Sequence, residues 1–198
     1  MTATEFFNEY KSKVREHITH TDGRNYLDIY RTDEPTFTEL INKQIIHSII
    51  AEAGLDVQHE YFRIDTVGWH GKYDILDRDR AKTVGLNRHL WDLMIAVEHE
   101  NDKEDWLDEL IKLIHVKCPL KVVIGYNYCD CRGENENNKL QYAAECMQMI
   151  KAFSNDTAEE YLITIGNGAP KDKSKPNYTS FDYRAYLYNC DEKQFIRI

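Results

Sequence analysis

Two glutamates separated by one residue follow the most apolar segment of the chain. Residues 90–97 read LWDLMIAV, which is apolar on both faces of a strand, and Glu98, His99 and Glu100 come next. Because side chains alternate along a strand, Glu98 and Glu100 project from one face and His99 from the other. Two carboxylates that close raise each other's cost of ionisation, and a bound hard divalent cation removes that cost. The spacing therefore predicts a site for magnesium or manganese.

A third carboxylate would complete such a site, and Asp65 is the best candidate. It ends the run YFRID, in a predicted strand over residues 57–66, where the chain leaves the core. Asp92 shares the face of Glu98, but at ~3.3 Å per residue it lies ~20 Å away along the strand. Asp74 belongs to a highly charged stretch that we interpret as a loop or short hairpin. We therefore place Asp65 with the glutamate pair.

A simpler interpretation of the acidic residues stays open. The segment from residue 98 to residue 109 carries seven acids and one lysine, and charged side chains at strand ends are usually solvated. The position of Glu98 favours a site, because ligands of α/β proteins gather where buried strands end.

Strands and helices alternate along the chain, which predicts an α/β domain with a mixed central sheet flanked by helices. We predict a single domain over residues 1–198, with an N-terminal helix 3–18, a core of about 37–166 and a C-terminal hairpin 180–198. Hydrophobic periodicity predicts further helices from Pro35, over 102–116 with Asp102 as its cap, and over 139–153. Further strands are predicted over 57–66, 90–97, 120–126 and 160–166.

Composition and charge bear on the partners and the location of the protein. The chain has 198 residues, 34 acidic and 25 basic side chains and a formal net charge of -9, a mild argument against nonspecific nucleic-acid binding. No segment approaches the ~20 apolar residues of a bilayer helix, so we expect no membrane partner. Five cysteines, an odd number, and an N-terminus unlike a signal peptide predict a cytoplasmic protein with reduced thiols.

The motif and the order of elements resemble the PD-(D/E)xK nuclease superfamily. The resemblance spans about residues 37–126, and its motif is Ile64-Asp65 followed by Glu98-His99-Glu100. It implies a restriction-endonuclease-like αβββαβ core, here with extra C-terminal strands. It also implies a magnesium- or manganese-dependent phosphodiesterase acting on DNA, with Asp65, Glu98 and Glu100 as catalytic residues. Asp65, Glu98 and the main-chain carbonyl of His99 would hold the metal.

The chain departs from the superfamily pattern at two points. Glu100 occupies the position of the motif lysine, and the 33 residues from Asp65 to Glu98 require an insertion over 68–89. Lys112 could replace the missing lysine, although a surface ion pair with Asp108 at i, i+4 is the simpler interpretation. Glu39 is a candidate fourth acid.

Basic residues suitable for DNA contacts lie in the insertion: Arg78, Arg80, Lys82 and Arg88. Solvated loops explain the same residues equally well. A function of another class also stays open, namely a non-catalytic interaction protein that keeps the fold and binds a partner through its acidic surface. A homodimer is compatible with either interpretation.

Overall fold

A single mixed sheet of seven strands organises the described part of the protein. In the computed structural model these residues are 1–17, 23–72, 77–86, 91–128, 134–153, 158–172, 174 and 182–198. The strands lie side by side in chain order. They are β1 (Asp56–Tyr61), β2 (Ile64–Gly71), β3 (Trp91–His99), β4 (Leu120–Tyr128), β5 (Glu160–Gly168), β6 (Arg184–Asn189) and β7 (Gln194–Arg197). The central pairs β3–β4 and β4–β5 are parallel, and the outer pairs are antiparallel.

Helices cover both faces of this sheet. They are α1 (Ala3–Glu16), α2 (Tyr26–Thr32), α3 (Glu34–Glu39), a π-helical segment (Leu40–Ile46), α4 (His47–Glu52), α5 (Arg78–Thr83), α6 (Trp106–Ile114) and α7 (Glu134–Met149). Helices α1 to α4 pack with Ile95 and Val97 of β3 in one core, and α6 and α7 share a second core with Ala96. The predicted α/β class, with helices flanking a mixed sheet and extra C-terminal strands, is confirmed.

Strand β3 shows why the apolar run is continuous. Ile95 and Val97 face the first core and Ala96 faces the second, so both faces of the strand are covered. The predicted helix after it starts later than expected. Asp105 rather than Asp102 precedes α6, and Asp102 instead accepts a hydrogen bond from the backbone N–H of Glu104 (2.8 Å).

The predicted single strand over residues 57–66 is wrong. Tyr61 pairs with Ile64, so β1 and β2 form a hairpin with Phe62 and Arg63 as its two turn residues. The run carries no glycine or asparagine that would indicate a tight turn. Asp65 consequently lies near the start of β2 rather than at the end of a strand.

Other boundaries also differ from the sequence prediction, and helix α7 covers Glu134–Met149 rather than 139–153. Gly68 lies inside β2 because α4 packs closely there, where an added Cβ would approach Ile50 Cγ2 to 2.4 Å and Ile95 Cγ2 to 2.6 Å. The segment interpreted as a loop or hairpin contains helix α5, whose first turn is capped by Asp77 accepting from the N–H of Arg80 (3.0 Å). Among the described residues, no helix is both long and apolar enough to cross a bilayer.

Candidate functional site

Asp65 and Glu98 lie side by side on neighbouring antiparallel strands. The register pairs Thr66 of β2 with Val97 of β3, and one step further it brings Asp65 opposite Glu98. Asp65 Oδ2 accepts a hydrogen bond from the backbone N–H of His99 (2.9 Å), and the N–H of Asp65 donates to Glu98 Oε2 (3.4 Å). Two hydrogen bonds across the strands therefore fix both carboxylates where β3 leaves the core.

The carboxyl group of Glu98 is buried. The side chain is 2% exposed, and burial raises its pKa to about 8. Lys112 acts against this rise, whereas the charges of Asp65 and Glu109 add to it. Burial also raises the pKa of Asp65, although the N–H of His99 and the charge of Lys112 oppose the rise. Two adjacent carboxyl groups that resist ionisation are the electrostatic condition that a bound cation relieves.

Lys112 reaches this pair from helix α6. Its Nζ lies 2.8 Å from Glu98 Oε1, donates to the carbonyl of Arg63 (3.0 Å) and pairs with Glu109. The predicted surface pair with Asp108 is wrong, since Lys112 is drawn towards the sheet and the buried glutamate. A lysine from the covering helix therefore contacts the buried glutamate directly.

His99 points to the opposite face of the sheet, as predicted. Its ring packs against Phe37 and lies 3.2 Å, Nε2 to hydroxyl, from Tyr126. Complete burial lowers the pKa of its imidazole to about 3, so the ring is neutral at physiological pH. The side chain therefore anchors the backbone between the two glutamates and takes no part in their proton chemistry.

Glu100 follows β3 and turns towards the next loop. Its Oε1 accepts a hydrogen bond from the N–H of Asp102 (2.7 Å). Burial raises its pKa, and the charges of Glu109, Asp102 and Asp105 add to that rise. Because Glu109 acts on both Glu98 and Glu100, the two glutamates share the α6 side of the sheet. The structure joins Glu98 to both Asp65 and Lys112 and leaves Glu100 bound to the loop.

A groove of about 550 Å³ borders Asp65 on the side of helix α3. Glu39 lines it and pairs with Lys43 (3.1 Å), so the candidate fourth acid shares the groove with Asp65 while already holding a partner. Asn42 of the π-helical segment lines the same groove, is 8% exposed, and its side-chain amide favours a lower pKa of Asp65. Sequence reasoning missed Asn42, although a polar residue within an apolar helical face was a usable signal.

The remaining candidates lie apart from the carboxylate pair or outside the described residues. Arg78 begins α5, and Arg80 and Lys82 are exposed on the same short helix. Arg88 and Asp74 fall outside the described residues. The competing acid Asp92 lies near the opposite end of β3 and pairs with Lys72 (2.6 Å).

The donor set suits a hard cation only in part. Within the described ranges, no group of three or more His, Cys, Asp or Glu side chains is placed to hold a metal ion. Magnesium is, however, commonly held by one or two carboxylates together with waters and phosphate oxygens. Glu98 Oε1 is buried and has an ion-pair contact but no well-aligned hydrogen bond, so it retains acceptor capacity. Asp65 and Glu98 therefore fit a cation that completes its shell with water or substrate.

Only the geometry of the site indicates what it could do. Comparison of the chain with protein-family models, with curated proteins and with solved structures found no match in any of the three. The features to be explained are a pair of adjacent carboxyl groups, of which Glu98 is buried and Asp65 half-buried, a lysine from a neighbouring helix and an adjoining groove.

Proposed function

We propose that the protein is a divalent-metal-dependent nuclease that hydrolyses phosphodiester bonds of DNA on a restriction-endonuclease-like core. One observation carries this proposal. Asp65 and Glu98, distant in sequence, are hydrogen-bonded across two strands and share the positive charge of Lys112. Burying the carboxyl group of Glu98 beside a second carboxyl group is costly, and carboxyl groups with shifted pKa values cluster at functional sites.

Each residue of the site has a part in the proposed hydrolysis. Asp65 and Glu98 would hold Mg²⁺ or Mn²⁺, with the main-chain carbonyl of His99 as a third donor. The bound ion would polarise the phosphate and lower the pKa of the attacking water. Lys112, tethered to the carbonyl of Arg63, would hold the water or a phosphate oxygen. Glu100 occupies the motif position and would orient the loop that borders the site.

Cleavage of DNA in magnesium or manganese tests the proposal. We expect the wild-type protein to cleave and the Glu98→Gln and Asp65→Asn variants to lose activity about 100-fold or more. Asp108→Asn is the matched control, because it removes an exposed acid from the helix that carries Lys112. Equal activity in wild type and Glu98→Gln, or no cleavage of single-stranded and duplex substrates by any of them, would refute the nuclease proposal.

A second function is favoured by the charge balance of the site. Lys112 already contacts Glu98 without a cation, which suits a non-catalytic protein that binds a partner through its acidic surface. Calorimetric titration with Mn²⁺ separates the two functions. Binding that is lost in Glu98→Gln supports the nuclease, and no binding by the wild type supports the interaction protein.

We place this activity in the cytoplasm. Cys118 and Cys146 are free thiols, and reduced cysteines are typical of cytosolic proteins. Exposed Arg80 and Lys82 on α5 are proposed to contact DNA phosphates, and such contacts make affinity fall with rising salt.

A further inference from the structure

The turn between β1 and β2 has an unfavourable backbone for its residues. Phe62 has a φ of 49° and Arg63 a φ of 66°, the left-handed pair required by a two-residue type I′ hairpin. Asparagine followed by glycine is the preferred pair there, because a Cβ in this conformation crowds the following carbonyl. Among the described residues, four non-glycine residues have positive φ, and Glu60, Phe62 and Arg63 are three of them.

The strained turn holds an aromatic ring in solvent. The side chain of Phe62 is 81% exposed, the highest value among the exposed large hydrophobic residues described. Its ring rests edge-on against Tyr61, with the ring centroids 4.7 Å apart, and Tyr61 in turn contacts Trp91. The phenyl ring therefore contributes little to the core, and its rigid support directs it outwards.

The turn also adjoins the carboxylate site. Lys112, which pairs with Glu98, donates a hydrogen bond to the carbonyl of Arg63 (3.0 Å). Asp65 follows Arg63 by two residues. Phe62 and Arg63, both exposed, therefore lie at the same end of the sheet as the carboxylate pair.

We propose that the Phe62–Arg63 turn is a contact element for single-stranded nucleic acid, in which Phe62 stacks on a base and Arg63 binds the adjoining phosphate. This inference rests on the proposed nuclease function. Aromatic rings stack on bases of any sequence, and a neighbouring cation binds the backbone. Strained backbone conformations cluster at functional sites, and the Phe-Arg pair in this turn adopts such a conformation. Contact with a protein partner would explain the exposed ring in another way.

The variants separate the shape of the turn from its chemistry. Phe62→Asn combined with Arg63→Gly installs the preferred turn pair and removes both proposed contacts. Phe62→Ala removes the ring alone, and Phe62→Tyr keeps an aromatic ring. Lys193→Gly is the matched control, since Lys193 also has a positive φ (53°) but lies beside β7, at the opposite edge of the sheet from β1.

Two measurements on the full chain test whether the Phe62–Arg63 turn binds single-stranded nucleic acid. Melting temperature is recorded by circular dichroism, and affinity by fluorescence anisotropy with a labelled single-stranded oligonucleotide of about 20 nucleotides, in calcium to prevent cleavage. We expect the double variant and Lys193→Gly to melt a few degrees higher than wild type, because both relieve strain. Affinity should fall about 10-fold in the double variant and in Phe62→Ala, and stay unchanged in Phe62→Tyr and Lys193→Gly.

The outcomes separate this inference from the proposed function. If the double variant melts higher and binds the oligonucleotide as tightly as wild type, the turn is not a nucleic-acid contact. Failure of the wild type to bind the oligonucleotide also overturns the inference, and points to a protein partner, while duplex cleavage that depends on Glu98 would still support the nuclease. Binding that depends on Phe62 without metal-dependent cleavage would support the inference and refute catalysis.

Discussion

Lys112 Nζ lies 2.8 Å from Glu98 Oε1, and the exposed fraction of the two side chains differs sharply, 35% against 2%. The lysine thus bridges solvent and a carboxylate that is almost fully buried. The contact joins helix α6 to strand β3 and supplies the counter-charge that two adjacent carboxyl groups require. Any change at this ion pair should therefore alter both the stability of the fold and the chemistry of the site.

Replacing Lys112 with methionine should destabilise the protein by about 2 kcal/mol, because buried Glu98 loses its counter-charge while the exposed part of the lysine limits the loss. Urea unfolding at about pH 9 measures the change, because Glu98, with a pKa of about 8, is mostly ionised there. Lys117→Met removes an exposed lysine just beyond α6 and should alter the free energy of unfolding by less than about 0.5 kcal/mol. Equal effects of the two substitutions would show that the Lys112–Glu98 contact adds no stability.

The stability of the metal-free protein should fall as pH rises from about 5 to 8. The pKa of Glu98 is about 8 in the folded protein, whereas its ordinary value, expected in the unfolded chain, is 4.5. The folded state therefore binds more protons than the unfolded state between these two pH values. Its stabilising contribution is complete below pH 4.5 and is lost as the pH approaches 8, with a slope of at most about 1.4 kcal/mol per pH unit. Urea unfolding in EDTA should show this slope in wild type and Asp108→Asn and not in Glu98→Gln. A wild-type slope retained in Glu98→Gln would contradict the assignment.

His99 should impose the opposite pH dependence at lower pH. Burial lowers the pKa of its ring from 6.5 to about 3, so the unfolded chain binds the extra proton between these values. The stability from neutral His99 is complete above pH 6.5 and is lost as the pH falls towards 3. His99→Gln cannot titrate and keeps a polar group near Tyr126, so acid unfolding of this variant should begin at lower pH. Coincident acid transitions in the two proteins would exclude His99 as the cause.

Gly125→Ala should destabilise the protein by about 2 kcal/mol, which lowers the melting temperature by roughly 6 °C. An added Cβ would lie 2.7 Å from Trp106 Cβ, and that side chain is fully buried with its indole N–H donating to Asn127 (3.2 Å). The expected clash displaces the start of α6, the helix that carries Lys112. Thermal melting checks the prediction, and an unchanged melting temperature would mean that α6 can shift without cost.

Local pattern was sufficient for most elements of this fold. The apolar run before Glu98 predicts a strand buried on both faces, and the structure places Ile95 and Ala96 in two different cores. The alternation of strands also predicts that His99 and Glu98 face opposite ways. These properties follow from periodicity over a few residues, which depends only on backbone geometry and burial.

Only the tertiary structure decided which distant residues meet. The Phe62–Arg63 turn carries none of the residues that indicate a hairpin, and it starts β2 at Ile64. The separate register between β2 and β3 then brings Asp65 opposite Glu98. Lys112 joins them because α6 packs against β4 over Gly125, a contact that no local pattern reports. Sequence alone determined the class of fold and proposed the two carboxylates. Their partnership with a lysine depends on turn geometry and helix packing, which act between residues far apart in the chain.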